Sequence, residues 1–145
     1  MKTPLLIILA LFLLAMKTNN DRRSLLCHQW TQFAFKKHGA ASPHAVDSTL
    51  AKICEFGADG SYRESMYSNT LNGSGQWYLN SDQTKLTYTY DELNGQKLPA
   101  SADTVKHFNI IILKLTRDTL IYGLEGHYGY YKTYGHDDWY FVRSK

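Results

Sequence analysis

Short runs of aromatic and β-branched residues, separated by turn-forming residues about every ten positions, constrain this chain more than any other feature. Runs of this length with alternating apolar and polar residues are typical of β-strands that have one buried face. No amphipathic segment is long enough for the helix of a βαβ unit, so the pattern predicts an all-β domain. We predict eight strands, at His28–Lys36, Leu50–Phe56, Ser61–Ser68, Gly75–Leu79, Lys85–Tyr90, Lys106–Leu115, Thr119–Gly123 and Trp139–Arg143.

Turn-forming residues mark the connections between these strands. Ala58-Asp59-Gly60 predicts a tight hairpin, because Asp-Gly tolerates the positive φ angles that such turns require. Asn72-Gly73-Ser74 predicts the following turn, and Arg117-Asp118 predicts a later one. Longer polar connections are expected at His38–Asp47, where a short helix is the alternative to an irregular loop, and at Asp91–Asp103.

Consecutive hairpins of this kind give an up-and-down meander with two free edges. Free strand edges are prone to pair with other chains, and a barrel removes them by pairing the first strand with the last. The segment Lys106–Leu115 is apolar on both of its faces. We therefore predict an eight-stranded up-and-down antiparallel barrel, with a β-sandwich as the alternative arrangement of the same strands.

The N-terminus has the composition of a secretory signal peptide. Lys2 precedes the unbroken apolar run Leu5–Ala15, and polar residues follow the run. The run has roughly half of the ~20 residues that a membrane-spanning helix needs. We expect residues 1–15 to be a signal peptide, residues 16–25 a flexible polar tail, and residues 26–145 the barrel domain. The mature protein would then be secreted, periplasmic or at the cell surface, without a transmembrane span.

The charge balance argues against a nucleic-acid partner. Beyond residue 15 the chain has 15 Lys and Arg against 13 Asp and Glu, and these charges are spread along the whole sequence. Nucleic-acid binding proteins instead concentrate basic residues in a patch or stripe. The sequence contains no indication of the oligomeric state.

Two cysteines lie in the predicted barrel. In a meander the start of the first strand lies beside the end of the second, which places Cys27 near Cys54. An exported chain meets an oxidising compartment, so a disulfide is expected, with two separately buried thiols as the alternative. A bridge would close a loop of about 28 residues and contribute roughly 3–4 kcal/mol in the chain-entropy model.

Several short motifs occur in a recognisable order between Leu25 and Arg143. They are Trp30 in the first strand, Cys-x-Phe-x-x-Asp-Gly from Cys54 to Gly60, Gly-x-Trp from Gly75 to Trp77, the run Ile110–Leu120, and Phe141-x-Arg143. This order resembles that of the small lipocalin-like domains of secreted bacterial proteins, within the wider calycin group. Calycins typically place an arginine of the last strand over a tryptophan of the first, so the resemblance implies this structural contact for Arg143 and Trp30.

Alternate residues of a barrel strand point into the lumen, and many aromatic residues of the strands fall at such positions. A cavity lined in this way would accept a small apolar or aromatic ligand. The alternative is a packed core, because eight strands leave an interior only just wide enough for side chains or one small ligand. The predicted lumen residues are Phe33, Phe35, Phe56, Tyr62, Trp77, Leu79, Tyr88, Phe108, Ile110, Ile112 and Tyr122.

Catalytic and metal-binding patterns are weak in this sequence. His127, His136, Asp137 and Asp138 share one connection, but their spacing is not a regular ligand spacing. A Ser-His-Asp grouping near His38 and His44 lacks a nucleophile elbow. Adjacent carboxylates, such as Asp91 and Glu92, point to opposite faces of a strand and form no acid–base pair. We therefore expect no enzyme activity, no metal and no cofactor.

Two functions remain compatible with the sequence. The favoured one is a secreted lipocalin-like protein that binds a small hydrophobic molecule in the barrel lumen. The alternative is an interaction module with a filled core, which binds a protein or glycan through the aromatic connection before the last strand. The tyrosines of that connection are Tyr128, Tyr130, Tyr131 and Tyr134, and tyrosine provides a large contact area at low entropic cost.

Overall fold

The computed structural model describes residues 22–66, 68–99, 107–125 and 136–145. Residues 22–26 form one short helical turn, α1. The strands are β1 (Gln29–Lys36), β2 (His44–Ala45), β3 (Ile53–Phe56), β4 (Ser61–Met66), β5 (Leu71–Leu79), β6 (Lys85–Thr89), β7 (Glu92–Leu93), β8 (Gln96–Lys97), β9 (His107–Leu115), β10 (Thr119–Glu125) and β11 (His136–Arg143).

Eight of these strands form a closed antiparallel barrel. Around the barrel their order is β1, β3, β4, β5, β6, β9, β10 and β11, and β11 pairs again with β1. Each strand pairs with its neighbours along the meander, so the predicted eight-stranded up-and-down barrel is confirmed. The short strands are additions to this ring: β2 pairs with β1, and the β7–β8 hairpin pairs with β5.

The turn between β4 and β5 lies earlier than predicted. Asn72, Gly73 and Ser74 belong to β5 and pair with β4, whereas Ser68 and Asn69 have the positive φ angles of a turn. The glycine is needed for close packing instead, because a Cβ at Gly73 would lie 2.5 Å from the Tyr90 ring. The Asn72-Gly73 pair therefore does not form a turn. Its glycine allows the Tyr90 ring to pack closely against the β5 backbone.

The β1–β11 seam contains a bulge that changes which residues face inward. Gln32 pairs with Phe141 and Ala34 with Tyr140, so Phe33 is the extra residue. Its side chain is 45% exposed and packs against Tyr140, which contradicts its predicted place in the lumen. A bulge interrupts the strict alternation of a strand, and simple counting along β1 fails at this point.

Helix α1 covers one end of the barrel, which we call the capped end. Leu26 is fully buried and accepts a hydrogen bond from Trp30 Nε1 at 3.0 Å. Arg22 Nη1 donates to the carbonyl of Gln83 at 2.7 Å, and the Arg23 guanidinium lies 4.5 Å from the centre of a Trp77 ring. Residues 22–25 of the predicted polar tail belong to α1, and their arginines bond to the turns around the barrel end.

The expected disulfide is absent: Cys27 and Cys54, both within the described ranges, are free thiols. In the β1–β3 register Trp30 is opposite Cys54 and Gln29 is opposite Glu55. Continued to residue 27, this register reaches residue 57, three positions beyond Cys54. Three positions correspond to about 10 Å along a strand, which exceeds the Cα separation that a disulfide spans.

The predicted signal peptide, residues 1–15, and residues 16–21 of the predicted tail lie outside the described residues. Within the described ranges, no helix has the length and apolar character required to cross a bilayer.

The packing of Leu26 against the capped end leads to a stability prediction. Leu26→Ala should lower the free energy of unfolding by about 2–5 kcal/mol, because it removes a fully buried side chain. Leu50→Ala is the matched control: Leu50 is 53% exposed, so the same substitution should change stability by less than about 0.5 kcal/mol. Urea unfolding followed by tryptophan fluorescence measures both, and equal effects would contradict the role of α1 as a cap.

Candidate functional site

Most of the predicted lumen residues lie in the barrel core. Leu79 and Phe108 are partly buried against that core, and Phe35 is half-buried against Trp139, with ring centres 5.2 Å apart. The alternation rule therefore located the interior, apart from Phe33 on the bulged strand. The predicted lumen residues that are buried are Phe56, Tyr62, Trp77, Tyr88, Ile110, Ile112 and Tyr122.

A column of aromatic rings runs through the lumen away from the capped end. Trp77 contacts Phe56 at 5.5 Å between ring centres, and Phe56 contacts Tyr62 at 5.3 Å. Tyr62 stacks on Tyr88 at 4.3 Å, and Tyr88 stacks on Phe108 at 5.0 Å. These contacts fill the capped half of the barrel, so any space for a ligand must lie towards the other end.

A buried ion pair lies beside this column. Lys52 Nζ is 2.5 Å from Glu64 Oε2, and the two side chains are 5% and 2% exposed. The sequence analysis did not identify this pair. The alternation of the strands does contain the signal. Lys52 lies two and four positions before the inward-facing Cys54 and Phe56, and Glu64 lies two positions after the inward-facing Tyr62.

The surrounding polar groups hold the pair in place. The Tyr62 and Tyr90 hydroxyls both donate to the Glu64 carboxylate. The backbone N–H of Lys52 donates to Gln32 Oε1 at 3.2 Å, and the Gln32 N–H donates to the Lys52 carbonyl at 2.8 Å. Gln32 therefore fixes the start of β3, and with it the direction from which the lysine enters the lumen.

Both members of the pair are ionised at neutral pH. Burial by itself would lower the pKa of Lys52, but the Glu64 carboxylate and the nearby tyrosines raise this pKa well above 10.5. Burial by itself would raise the pKa of Glu64, but Lys52 and the tyrosine hydroxyls lower it below 4.5. A buried charge is tolerated only when it is paired and hydrogen-bonded in this way.

A cavity of about 390 Å³ lies above the ion pair, at the end opposite α1. We call this the lumen cavity. Its floor carries the polar groups of Lys52, Glu64, Tyr88 and Tyr122, and its walls are mainly apolar. The wall residues are Met66, Leu71, Tyr90, Leu93, Leu98, Phe108, Leu124 and Trp139.

Two other depressions, of about 300 and 490 Å³, lie along β4 and β5. Both are more open to solvent than the lumen cavity, and their linings contain Arg63, Ser74 and Glu92. Small-molecule sites are usually enclosed and mostly apolar with a few polar groups, a description that only the lumen cavity fits among these three.

The weaker candidate sites behave as ordinary polar contacts. His136 Nδ1 lies 2.6 Å from Asp138 Oδ1, and Asp137 Oδ1 accepts a hydrogen bond from the His38 N–H at 2.8 Å. In the described ranges no group of three or more His, Cys, Asp or Glu residues could hold a metal ion. His127 and the tyrosines Tyr128, Tyr130, Tyr131 and Tyr134 lie outside the described residues.

Trp30 and Arg143 are directly opposite each other in the β1–β11 register. The contact of the Arg143 guanidinium with the Trp30 indole, which the calycin resemblance implies, stays a prediction. Trp30 is fully buried, and its ring packs edge-on against His28 with the centres 6.4 Å apart. Arg143 is half-buried at the end of β11, and its backbone N–H donates to the carbonyl of Asp118 at 3.2 Å. At the capped end, an arginine–indole stack is formed by Arg23 and Trp77.

The ion pair predicts strongly coupled mutational effects. Lys52→Met should lower the free energy of unfolding by about 3–5 kcal/mol at pH 7, because it leaves Glu64 buried without its cation. The double variant Lys52→Met/Glu64→Gln should lose at least about 1 kcal/mol less than the sum of the single variants. Lys114→Met is the control, since Lys114 is exposed on β9. Additive single effects in denaturant unfolding would contradict the coupling.

The direction of the Glu64 pKa shift predicts an acid-dependent stability. A carboxyl with a lowered folded-state pKa stabilises the fold above its unfolded value of 4.5, and this contribution is lost as the pH falls through the folded pKa. The free energy of unfolding should therefore fall below about pH 4.5 in the wild type and fall less steeply in Lys52→Met/Glu64→Gln. Equal slopes in both proteins, from unfolding curves between neutral and acid pH, would contradict the assignment.

Comparisons of the chain with protein-family models, with curated proteins and with solved structures find no significant match. The chain folds into a closed eight-stranded antiparallel barrel, an architecture that is consistent with a calycin-like fold.

Proposed function

We propose that this protein is a non-enzymatic, secreted, lipocalin-like protein that binds one small, mainly apolar molecule in the lumen cavity. The observation that carries the proposal is a cavity of about 390 Å³ with apolar walls above a buried ion pair. This volume lies within the range of about 300–1,000 Å³ that is usual for small-molecule sites.

The distribution of packing in the barrel supports a carrier over a module with a filled core. The aromatic column packs the capped half of the lumen, whereas Leu98, Leu124 and Trp139 border open space at the other end. A barrel that only displayed its loops would gain stability by filling this space, since each unfilled volume loses packing contacts.

The state of the buried reactive groups supports binding without catalysis. Lys52 is protonated and Glu64 already accepts three hydrogen bonds, so neither is a free nucleophile or a free base. Burial raises the pKa of the Cys54 thiol to about 12, which keeps it protonated at neutral pH. These groups serve the structure and the polarity of the cavity floor.

The fluorescent probe N-phenyl-1-naphthylamine, which is neutral and apolar, tests this proposal. The wild-type protein should bind one probe molecule per barrel with a saturable rise in fluorescence. Leu124→Trp should weaken probe binding at least about tenfold, because the larger ring would occupy the cavity. The magnitude corresponds to about 1.4 kcal/mol.

Leu113→Trp is the matched control, because Leu113 lies on β9 with 43% of its side chain exposed and does not border the cavity. It should leave probe binding unchanged. Absence of saturable binding to the folded wild-type protein would refute the proposal, as would equal effects of the two tryptophan substitutions.

A further inference from the structure

We infer that the lumen cavity selects molecules that present a neutral oxygen acceptor to its floor, namely the carbonyl of a ketone, ester or amide on an apolar body. This inference rests on the proposed function and specifies the class of ligand. It follows from the hydrogen-bonding groups on the floor and from their total charge.

The first step is an excess of hydrogen-bond donors. Trp139 Nε1 is buried, has no hydrogen-bond partner among the described residues and belongs to a ring that borders the cavity. A buried N–H without an acceptor costs about 1–3 kcal/mol, so such groups in a native site call for an explanation. An acceptor on a bound molecule would supply the missing partner.

Two further donors lie close to Trp139. The Tyr88 hydroxyl accepts from Lys52 Nζ at 3.4 Å, and within the described ranges its own proton has no acceptor. The Lys52 ammonium has three protons, for which the described residues show two acceptors, Glu64 Oε2 and the Tyr88 hydroxyl. Lys52 Nζ lies 5.1 Å from the Tyr88 ring centre and 5.6 Å from that of Trp139, so the donors are grouped.

The acceptors on the floor are already in use. Glu64 accepts from Lys52, Tyr62 and Tyr90, so three of its roughly four lone-pair sites are occupied. A ligand that ends in an ammonium or another group rich in donors would find few partners. The floor is therefore complementary to an acceptor.

The charge on the floor excludes an anionic head group. Among the described residues that line the cavity, Lys52 is the only cation, and Glu64 neutralises it at 2.5 Å. A carboxylate on the ligand would add an unpaired negative charge to a site that excludes much of the water, beside an existing carboxylate. A neutral carbonyl accepts the same hydrogen bonds without this penalty.

The contact is a hydrogen bond and not a covalent imine. Imine formation with an aldehyde or ketone requires an unprotonated amine. Lys52 is held in its protonated form by the adjacent carboxylate of Glu64.

Competition against N-phenyl-1-naphthylamine tests the inference with three ligands of similar length: undecane, 2-undecanone and the undecanoate anion. At pH 7.5 the ketone should bind about two- to tenfold more tightly than the alkane, the effect of one hydrogen bond. The anion should bind at least about tenfold more weakly than the ketone. Mass spectrometry after borohydride reduction of the ketone complex should detect no covalent adduct.

Conservative variants separate the hydrogen bond from the shape of the cavity. Trp139→Phe and Tyr88→Phe keep an aromatic ring but remove the donor, so each should reduce the preference for ketone over alkane about two- to tenfold. Alkane affinity should stay unchanged. Tyr78→Phe is the control, because Tyr78 is 53% exposed on β5 and does not border the cavity.

Each outcome has a separate meaning. If neither the probe nor any ligand binds, the proposed function fails and this inference fails with it. If the alkane binds as tightly as the ketone, the carrier proposal stands and the selectivity inference is overturned. Tighter binding of undecanoate than of ketone, or a covalent adduct at Lys52, would also overturn it.

Discussion

The buried contact between Lys52 and Glu64 is the interaction on which the interior of this barrel depends. Removal of two charges from water is costly, and the cost is offset only if the charges are paired and hydrogen-bonded. Here Tyr62 and Tyr90 donate to the Glu64 carboxylate, Tyr88 accepts from Lys52 Nζ, and Gln32 holds the Lys52 backbone at the start of β3. The pair thereby links β1, β3, β4 and β6 from the inside, and it divides a packed aromatic half from a half with open space.

Much of the fold could be predicted from local patterns, because hairpin-linked strands repeat a simple alternation and a meander has few ways to hide its edges. The prediction failed where a local pattern has two meanings. Asn72-Gly73 occurs in many turns, but here the glycine accommodates the Tyr90 ring. Phe33 and Phe35 have the same parity along β1, but the bulge beside Phe33 leaves only Phe35 against Trp139. Helix α1 depends on arginine contacts with residues that are distant in the sequence. Such long-range contacts leave little trace in a single sequence.

The candidate site was only partly predictable for the same reason. Tyr88, Phe108 and Tyr122 were found because they are aromatic residues at inward positions. Lys52 and Glu64 occupy inward positions too. A charged residue in a strand is usually exposed, so alternation alone does not identify a buried lysine or glutamate. Trp139 follows a long connection, and the length of that connection does not fix how the last strand pairs with its neighbours. The side chain lies at the lumen because Trp139 pairs with Phe35 across the β1–β11 seam.

In the proposed function, the half-filled lumen is a binding site whose polar floor decides what is bound. A crystal structure of the protein soaked with 2-undecanone tests this claim most directly. We expect one ketone in the lumen cavity, with its carbonyl oxygen about 3 Å from Trp139 Nε1 and its alkyl chain between Leu98 and Leu124. An empty lumen, or a ketone bound with its carbonyl pointing away from the floor, would contradict the account.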